Sequence, residues 1–282
     1  MTAPTGPIIV PLDGSKNAEQ ALPMAALLAR LFEASIRFVH VAEGERLPSA
    51  KDFDEARRNF AAYAGELAGR HGLAGKPFSA DLLSGSPGPT ILESAANASF
   101  IVLASHGKGG FHATFIGSVA DKVVRGARVP VLVVPAIDGE VSSSLGTILV
   151  ALDGSAEAEG GLRVARDIAS RAGARVTLVR AYTVPPAVGV EFAYYPPDLV
   201  TSLEEGAKEY LAATAREGEG TVVALGSASE IVVQAATDLK ADLVVMSSHG
   251  KGLAGRLALG STTDRVMHGF RRPLLVVPAP RD

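Results

Sequence analysis

Phe100-Ile101-Val102-Leu103-Ala104, followed at once by Ser105-His106-Gly107-Lys108-Gly109, decides how this chain folds. An uncharged apolar run breaks into a glycine loop, and after nine residues that follow Gly107 a helix signal opens at Gly117-Ser118. Val131-Leu132-Val133-Val134-Pro135 then closes the unit. The same order returns as Ser248-His249-Gly250-Lys251-Gly252, with nine residues between Gly250 and Gly260-Ser261, then Leu274-Leu275-Val276-Val277-Pro278. All three elements share an offset of 143 (250−107, 260−117, 278−135). The openings match as well: Pro11-Leu12-Asp13-Gly14-Ser15 recurs as Ala151-Leu152-Asp153-Gly154-Ser155, an offset of 140 (153−13). A drift of three residues is what one loop of different length produces. A repeat this long is a duplicated domain, since solenoid units run to roughly 20–50 residues.

Bulk properties agree. At about 150 residues per domain, 282 residues make two. The expected division is a first domain over 1–136, a linker over 137–146 and a second domain over 147–282. The chain has no cysteine, which removes disulfides, thiolate nucleophiles and Cys-based zinc sites and fits a reducing compartment. Its net charge is −3 with no basic block, so nothing favours nucleic acid as a partner. Residues 1–6 lack the charged and apolar regions of a secretory signal, and no apolar run reaches the 18 or so residues of a membrane span. A soluble cytoplasmic protein, with no membrane partner, is expected.

Along the chain, short β-branched runs alternate with Ala/Leu-rich stretches. Strands are expected over 7–12, 36–41, 79–83, 100–104 and 130–134, and helices over 18–31, 50–71, 89–98 and 118–126. Pro23, lacking a donor, should kink the first helix or end its first turn, and Ser15 is placed to cap it. In the second half strands are expected over 147–152, 175–181, 221–225, 242–246 and 273–277. Helices are expected there over 156–172, 198–217, 229–240 and 261–269. Continuous rather than alternating apolar strands imply burial on both faces, hence parallel sheets covered by helices in an α/β fold with right-handed crossovers. One segment breaks the symmetry: 183–197 is rich in proline and aromatics, its counterpart 43–49 is shorter and has no aromatic. A stiff loop over a helix end accounts for it, and a lid beside a ligand mouth is the alternative.

In open parallel sheets ligands bind beyond the strand C-termini, where neighbouring crossovers leave in opposite directions. Two loops stand there. Asp13 or Asp153 can accept hydrogen bonds from an adenine amino group or a ribose hydroxyl, or can serve only to cap the helix beside Ser15 or Ser155; both readings stand. The glycine loop carries more. Gly107, Gly109 and Gly117, with Gly250, Gly252 and Gly260, allow a bulky anion to approach the amides closely. The helix N-terminus adds unpaired N–H groups and partial positive charge, Ser118 and Ser261 a hydroxyl, and Lys108 and Lys251 a flexible cation. One copy would suit a plain turn with a serine cap; two copies with equal spacing favour a phosphate cradle. His106 and His249 recur in it, one per half, as loop hydrogen-bonders rather than metal ligands.

Other patterns fall away. Gly250-Lys251-Gly252-Leu253-Ala254-Gly255 spells G-x-G-x-x-G, yet it follows the fourth strand of its unit and no acidic residue stands about 20 residues on. There is no G-x-x-x-x-G-K-[ST] motif, no H-E-x-x-H helix and no G-x-S-x-G elbow.

Taken together these residues resemble the universal stress protein family in its tandem two-domain form. Nucleotide-binding members carry G-x-x-G, nine residues, then G-[ST]. Here the halves read Ala104-Ser105-His106-Gly107 to Gly117-Ser118 and Ser247-Ser248-His249-Gly250 to Gly260-Ser261, so the first glycine is replaced in both. The resemblance implies two five-stranded parallel sheets of order 3-2-1-4-5, whose fifth strands pair across a pseudo-twofold, and leaves room for a further dimer of chains. It implies an adenine nucleotide as ligand, ATP first, with Mg²⁺ accompanying the phosphates. Pro11, Leu12 and Asp13, with Ala151, Leu152 and Asp153, would contact adenosine, and Val41 and its counterpart Ala181 would line the base pocket. Val119 and Thr262 would join Ser118 and Ser261 at the phosphates. The first half is the better site, because Ala104 is smaller than Ser247 and its neighbouring loop has no aromatic. The alternatives are a scaffold acting through protein contacts and a slow ATPase; for the latter only Lys108 and Lys251 are named contributors, and no residue offers itself as a base.

Overall fold

A computed structural model of the chain describes residues 6–42, 49–73, 75–107, 116–136, 143–184, 197–249 and 259–279. In the first half β1 (Ile8–Pro11), β2 (Ile36–Ala42), β3 (Phe78–Ser84), β4 (Phe100–Ala104) and β5 (Val131–Val134) alternate with helices. These are α1 (Lys16–Glu19), α2 (Leu22–Leu31), α3 (Ala50–Arg70), α4 (Pro87–Ser94) and α5 (Ser118–Gly126). The second half has β6 (Thr147–Ala151), β7 (Arg175–Tyr182), β8 (Gly220–Leu225), β9 (Leu243–Ser247) and β10 (Leu274–Val277). Its helices are α6 (Ala156–Ala172), α7 (Pro197–Thr214), α8 (Ala228–Asp238) and α9 (Ser261–Gly269).

Parallel pairing runs β3-β2-β1-β4-β5 and β8-β7-β6-β9-β10, the 3-2-1-4-5 order twice. β5 and β10 then pair antiparallel, with Val133 opposite Leu274, Leu132 opposite Leu275 and Val131 opposite Val276. The outcome is one ten-stranded sheet rather than two abutting ones, and two uncharged apolar edges cover each other. Successive strand residues serve opposite faces. Ile8, Val10, Phe100 and Val102 pack with α2, α3 and α6 in one core, while Ile9, Ile101 and Leu103 pack with α4, α5, α8 and α9 in the other. Each core crosses the seam without a break, so the two halves share both.

Polar ties reinforce the seam. On one face Arg171 lies 4.6 Å over the Phe32 ring and donates to the Leu31 carbonyl at 3.0 Å. On the other, Arg125 of α5 grips Asp121 on its own helix and reaches Asp264 of α9.

The differences from expectation have local causes. The first helix is split into α1 and α2, because Pro23 sits in the first turn of α2 where a missing amide costs nothing. α6 carries Arg163 at the matching position and runs unbroken. α4 starts and ends earlier than expected: Pro87 and Pro89 are both tolerated in its first turn, and the chain turns after Ser94, whose hydroxyl donates to the Ile91 carbonyl. α7 stops at Thr214 because the next turn is held by Glu219, which accepts from the Arg216 amide. The expected linker is described only from 143 onward, and there Leu145 is already buried in the core. The proline- and aromatic-rich segment lies outside the described residues from 185 to 196, as do 43–48 of its counterpart.

Candidate functional site

Strand β1 pairs with β4 only at Ile8–Phe100 and Ile9–Ile101, so the two chains separate toward their C-terminal ends. Leu12 stays on the other neighbour, its amide donating to Val39 at 2.9 Å, and Leu152 does the same with Val179. Asp13 leaves the sheet at this point. Its Oδ1 accepts the Ser15 amide at 2.9 Å and the Ser15 hydroxyl at 2.6 Å, and Ser15 Oγ in turn accepts the Ala18 amide. The turn needs a left-handed residue, which Gly14 supplies with φ of 80°. Asp153, Gly154 and Ser155 repeat the arrangement at matching distances, with φ of 83° at Gly154. Helix capping and carboxylate presentation therefore coexist: the Ser hydroxyl caps the helix while the Asp holds the Ser.

The glycine loop meets Asp13 across the switch point. A Cβ on Gly107 would lie 2.2 Å from Asp13 Oδ2, so the two loops touch and a side chain there would have to displace the carboxylate. Asn17 adds a long bond from Nδ2 to the Gly107 carbonyl at 3.4 Å. Gly117 closes the loop by donating its amide to the Ser105 carbonyl at 2.7 Å, and Gly260 does so to Ser248 at 2.8 Å. Neither glycine caps its helix with a side chain, so the first-turn amides of α5 and α9 have no side-chain partner at the cap. Ser118, Val119 and Ser261 are exposed at these helix starts, and Thr262 is half-buried. This combination of uncapped amides, hydroxyls and helix polarity suits an anion.

The two halves differ at the replaced glycine. Ala104 ends β4 as a buried methyl group. Ser247 ends β9 with its hydroxyl on the His249 carbonyl, and its own carbonyl accepts Thr263 Oγ1 at 2.9 Å. At the position of Thr263 the first half has Ala120 (263−143), which makes no such bond. The second loop is thus stiffened by two hydrogen bonds that the first lacks. His106 and His249 act as loop hydrogen-bonders through Nδ1, each to the preceding serine. Burial pushes the titration of His106 below the usual imidazole range.

A model of the universal stress protein family matches residues 5–135 and again 145–278. The chain belongs to the universal stress protein family. A universal stress protein of Mycobacterium tuberculosis is 28% identical over 284 residues, covering 95% of this chain and 96% of that one. One from Thermus aquaticus is 38% identical over 135 residues, 46% of this chain and 97% of its own. A universal stress protein of Archaeoglobus fulgidus shares the fold, with a TM-score of 0.75, 22% identity and 99% coverage of both chains.

Within this family member the structure brings Pro11, Leu12, Asp13, Ala104, His106, Gly107, Gly117, Ser118 and Val119 to one strand edge. Ala151, Leu152, Asp153, Ser247, His249, Gly260, Ser261 and Thr262 form the equivalent edge. Sheet register makes Ala181 the equivalent of Val41, three residues beyond Leu178 and Phe38, which face Val150 and Val10. Both are half-buried. Lys108, Gly109, Gly250, Lys251 and Gly252 lie outside the described residues. Asn17, His40 and Thr263 emerge only from the structure: His40 Nδ1 donates to the Leu12 carbonyl at 2.6 Å and steadies the Asp13 loop from β2. No motif spacing marks them, because each acts from a different element.

Proposed function

We propose that this chain binds an adenine nucleotide, ATP first and with Mg²⁺ on its phosphates, at the strand C-terminal edge of one or both halves. The observation that carries this is the contact of Asp13 with Gly107, which sets an acceptor for adenosine beside a loop leading to an uncapped helix start. The donor set fits the ligand: helix amides, Ser118 or Ser261 and the glycine loop for phosphates, a carboxylate and the Val41 or Ala181 wall for the nucleoside. The first half is the stronger site, because Ala104 leaves its loop free of the extra ties that Ser247 and Thr263 impose. The domains are bounded at 136 and 147, and one or both would carry such a site, in a cytoplasmic protein with a stress-linked role.

Isothermal titration of purified, nucleotide-stripped protein with ATP and Mg²⁺ tests this. Binding is expected, weakened by Asp13→Ala at the first site and by Asp153→Ala at the second. No heat and no retained nucleotide in either half would overturn it and favour a scaffold that works through protein contacts.

A further inference from the structure

Each glycine loop begins with a serine–histidine pair to which nucleotide binding gives no task. Ser105 Oγ lies 3.0 Å from His106 Nδ1 and accepts the Ala136 amide at 3.0 Å. Ser248 Oγ lies 2.8 Å from His249 Nδ1 and accepts the Ala279 amide at 3.1 Å. Ala136 and Ala279 follow the prolines after β5 and β10, so each hydroxyl ties the exit of strand five to the loop after strand four. The serine backbone is held too: Ser105 N donates to Val134 at 2.7 Å and Ser248 N to Val277 at 2.8 Å. Serine, histidine and alanine all recur at the 143-residue offset (248−105, 249−106, 279−136), although Ala104 and Ala120 become Ser247 and Thr263 around them.

A serine hydroxyl has one hydrogen to give and two lone pairs. One lone pair takes the alanine amide. If imidazole Nδ1–H filled the other, the hydroxyl hydrogen would have no acceptor among the described residues. Donation from Oγ–H to Nδ1 satisfies the hydroxyl and Nδ1 together and leaves the ring hydrogen on Nε2.

We propose that Ser105 and Ser248 are positioning residues that lock His106 and His249 as neutral Nε2–H donors beside the anion cradle. The use of that donor rests on the nucleotide reading; the tautomer does not. The histidines stand where it would serve, their Cα atoms 3.7 and 3.8 Å from where a Cβ on Gly117 or Gly260 would be. In the second half Nε2 is buried and has no hydrogen-bond partner among the described residues, an unmet donor of the kind a ligand oxygen satisfies. In the first half burial disfavours the imidazolium and keeps His106 neutral near pH 7.

The test is long-range proton–nitrogen NMR of the histidine rings in the full chain at pH 8 without ligand, assigned with His106→Gln and His249→Gln. Both rings are expected to carry the hydrogen on Nε2; Nδ1–H in either overturns the proposal. Ser105→Ala should turn His106 into a mixture of tautomers and weaken ATP at the first site about fivefold, the worth of one hydrogen bond, with Ser105→Thr restoring both. An unchanged tautomer in Ser105→Ala also overturns it. Ser248→Ala, read at His249, is an independent second trial should Ser105→Ala fail to fold. If the wild type binds no ATP, the nucleotide reading fails, and the ligand-free tautomers still decide this proposal.

Discussion

Consider Gly107→Ala, a change of one methyl group. The backbone at Gly107 is not left-handed, so only space matters, and the new Cβ would sit 2.2 Å from Asp13 Oδ2 and 3.1 Å from its Cγ. The carboxylate must retreat by roughly an ångström to reach ordinary contact. It cannot do so freely, since Oδ1 holds the Ser15 amide and hydroxyl at 2.9 and 2.6 Å. Hydrogen bonds to a charged group contribute about 1.5–3 kcal/mol each, and a half-buried carboxylate recovers part of this from water, so the expected cost is about 2–3 kcal/mol. Gly117→Ala should cost about 0.5–1 kcal/mol, a mild overpacking, because its Cβ would lie 3.2 Å from the Ser105 carbonyl oxygen. Gly260→Ala, at 3.4 Å from Ser248, should be close to neutral. Urea unfolding of the three variants measures the order. Asp13→Ala opens the space, so the Gly107→Ala/Asp13→Ala pair should cost at least about 1 kcal/mol less than the sum of the single changes. A Gly107→Ala protein as stable as wild type, or an additive cycle, would refute the packing argument.

Two further outcomes follow from ion pairs. Glu219 accepts from Arg166 Nε and Nη2 at 2.7 and 2.6 Å with both side chains largely buried; burial alone would raise its titration, but the Arg166 fork and the Arg216 amide together hold it below the usual carboxylate range. A depressed carboxyl stabilises the fold fully above its unfolded value of about 4.3 and loses that contribution as pH falls through the folded value. Glu219→Gln should therefore cost about 2–3 kcal/mol at pH 7, with the gap to wild type narrowing below about pH 4 in urea titrations; a constant gap contradicts the pairing. Arg125→Ala leaves Asp121 and Asp264 facing each other across the seam, but these groups are about a third exposed, so calorimetry should show a loss of about 1 kcal/mol with the fold intact. Separation of the two halves on that change alone would mean the β5–β10 pairing is weaker than its burial implies.

Much of the molecule was legible in the chain because its signals are local and doubled. Uncharged runs such as Phe100–Ala104 announce strands covered on both faces, and Pro23 announces the break in the first helix. The Asp-Gly-Ser turn is readable since Gly14 and Gly154 supply the left-handed residue it requires. Helix ends were less legible: α4 and α7 stop at local side-chain bonds, Ser94 to the Ile91 carbonyl and the Arg216 amide to Glu219, that apolar periodicity does not announce. At the candidate site, the glycine spacing marked the loop and the helix start that follows it, yet neither Asn17 nor Thr263 carries a signature.

The sequence by itself determined a duplicated α/β unit, a glycine loop before each fifth-strand crossover, and an acidic turn after each first strand. The elements follow from periodicity and backbone preference within about ten residues, and the duplication from their return at offsets of 140 and 143. The family resemblance implied that the fifth strands pair, but only the tertiary structure decided the antiparallel register in which β5 and β10 join the two sheets into one. It also decided that Gly107 lies against Asp13, and that Ser247 and Thr263 tie one glycine loop with hydrogen bonds that Ala104 and Ala120 cannot make in the other. Residues 94 apart in the chain (107−13) meet there because β1 and β4 are neighbours, a contact set by sheet order and invisible to any local pattern.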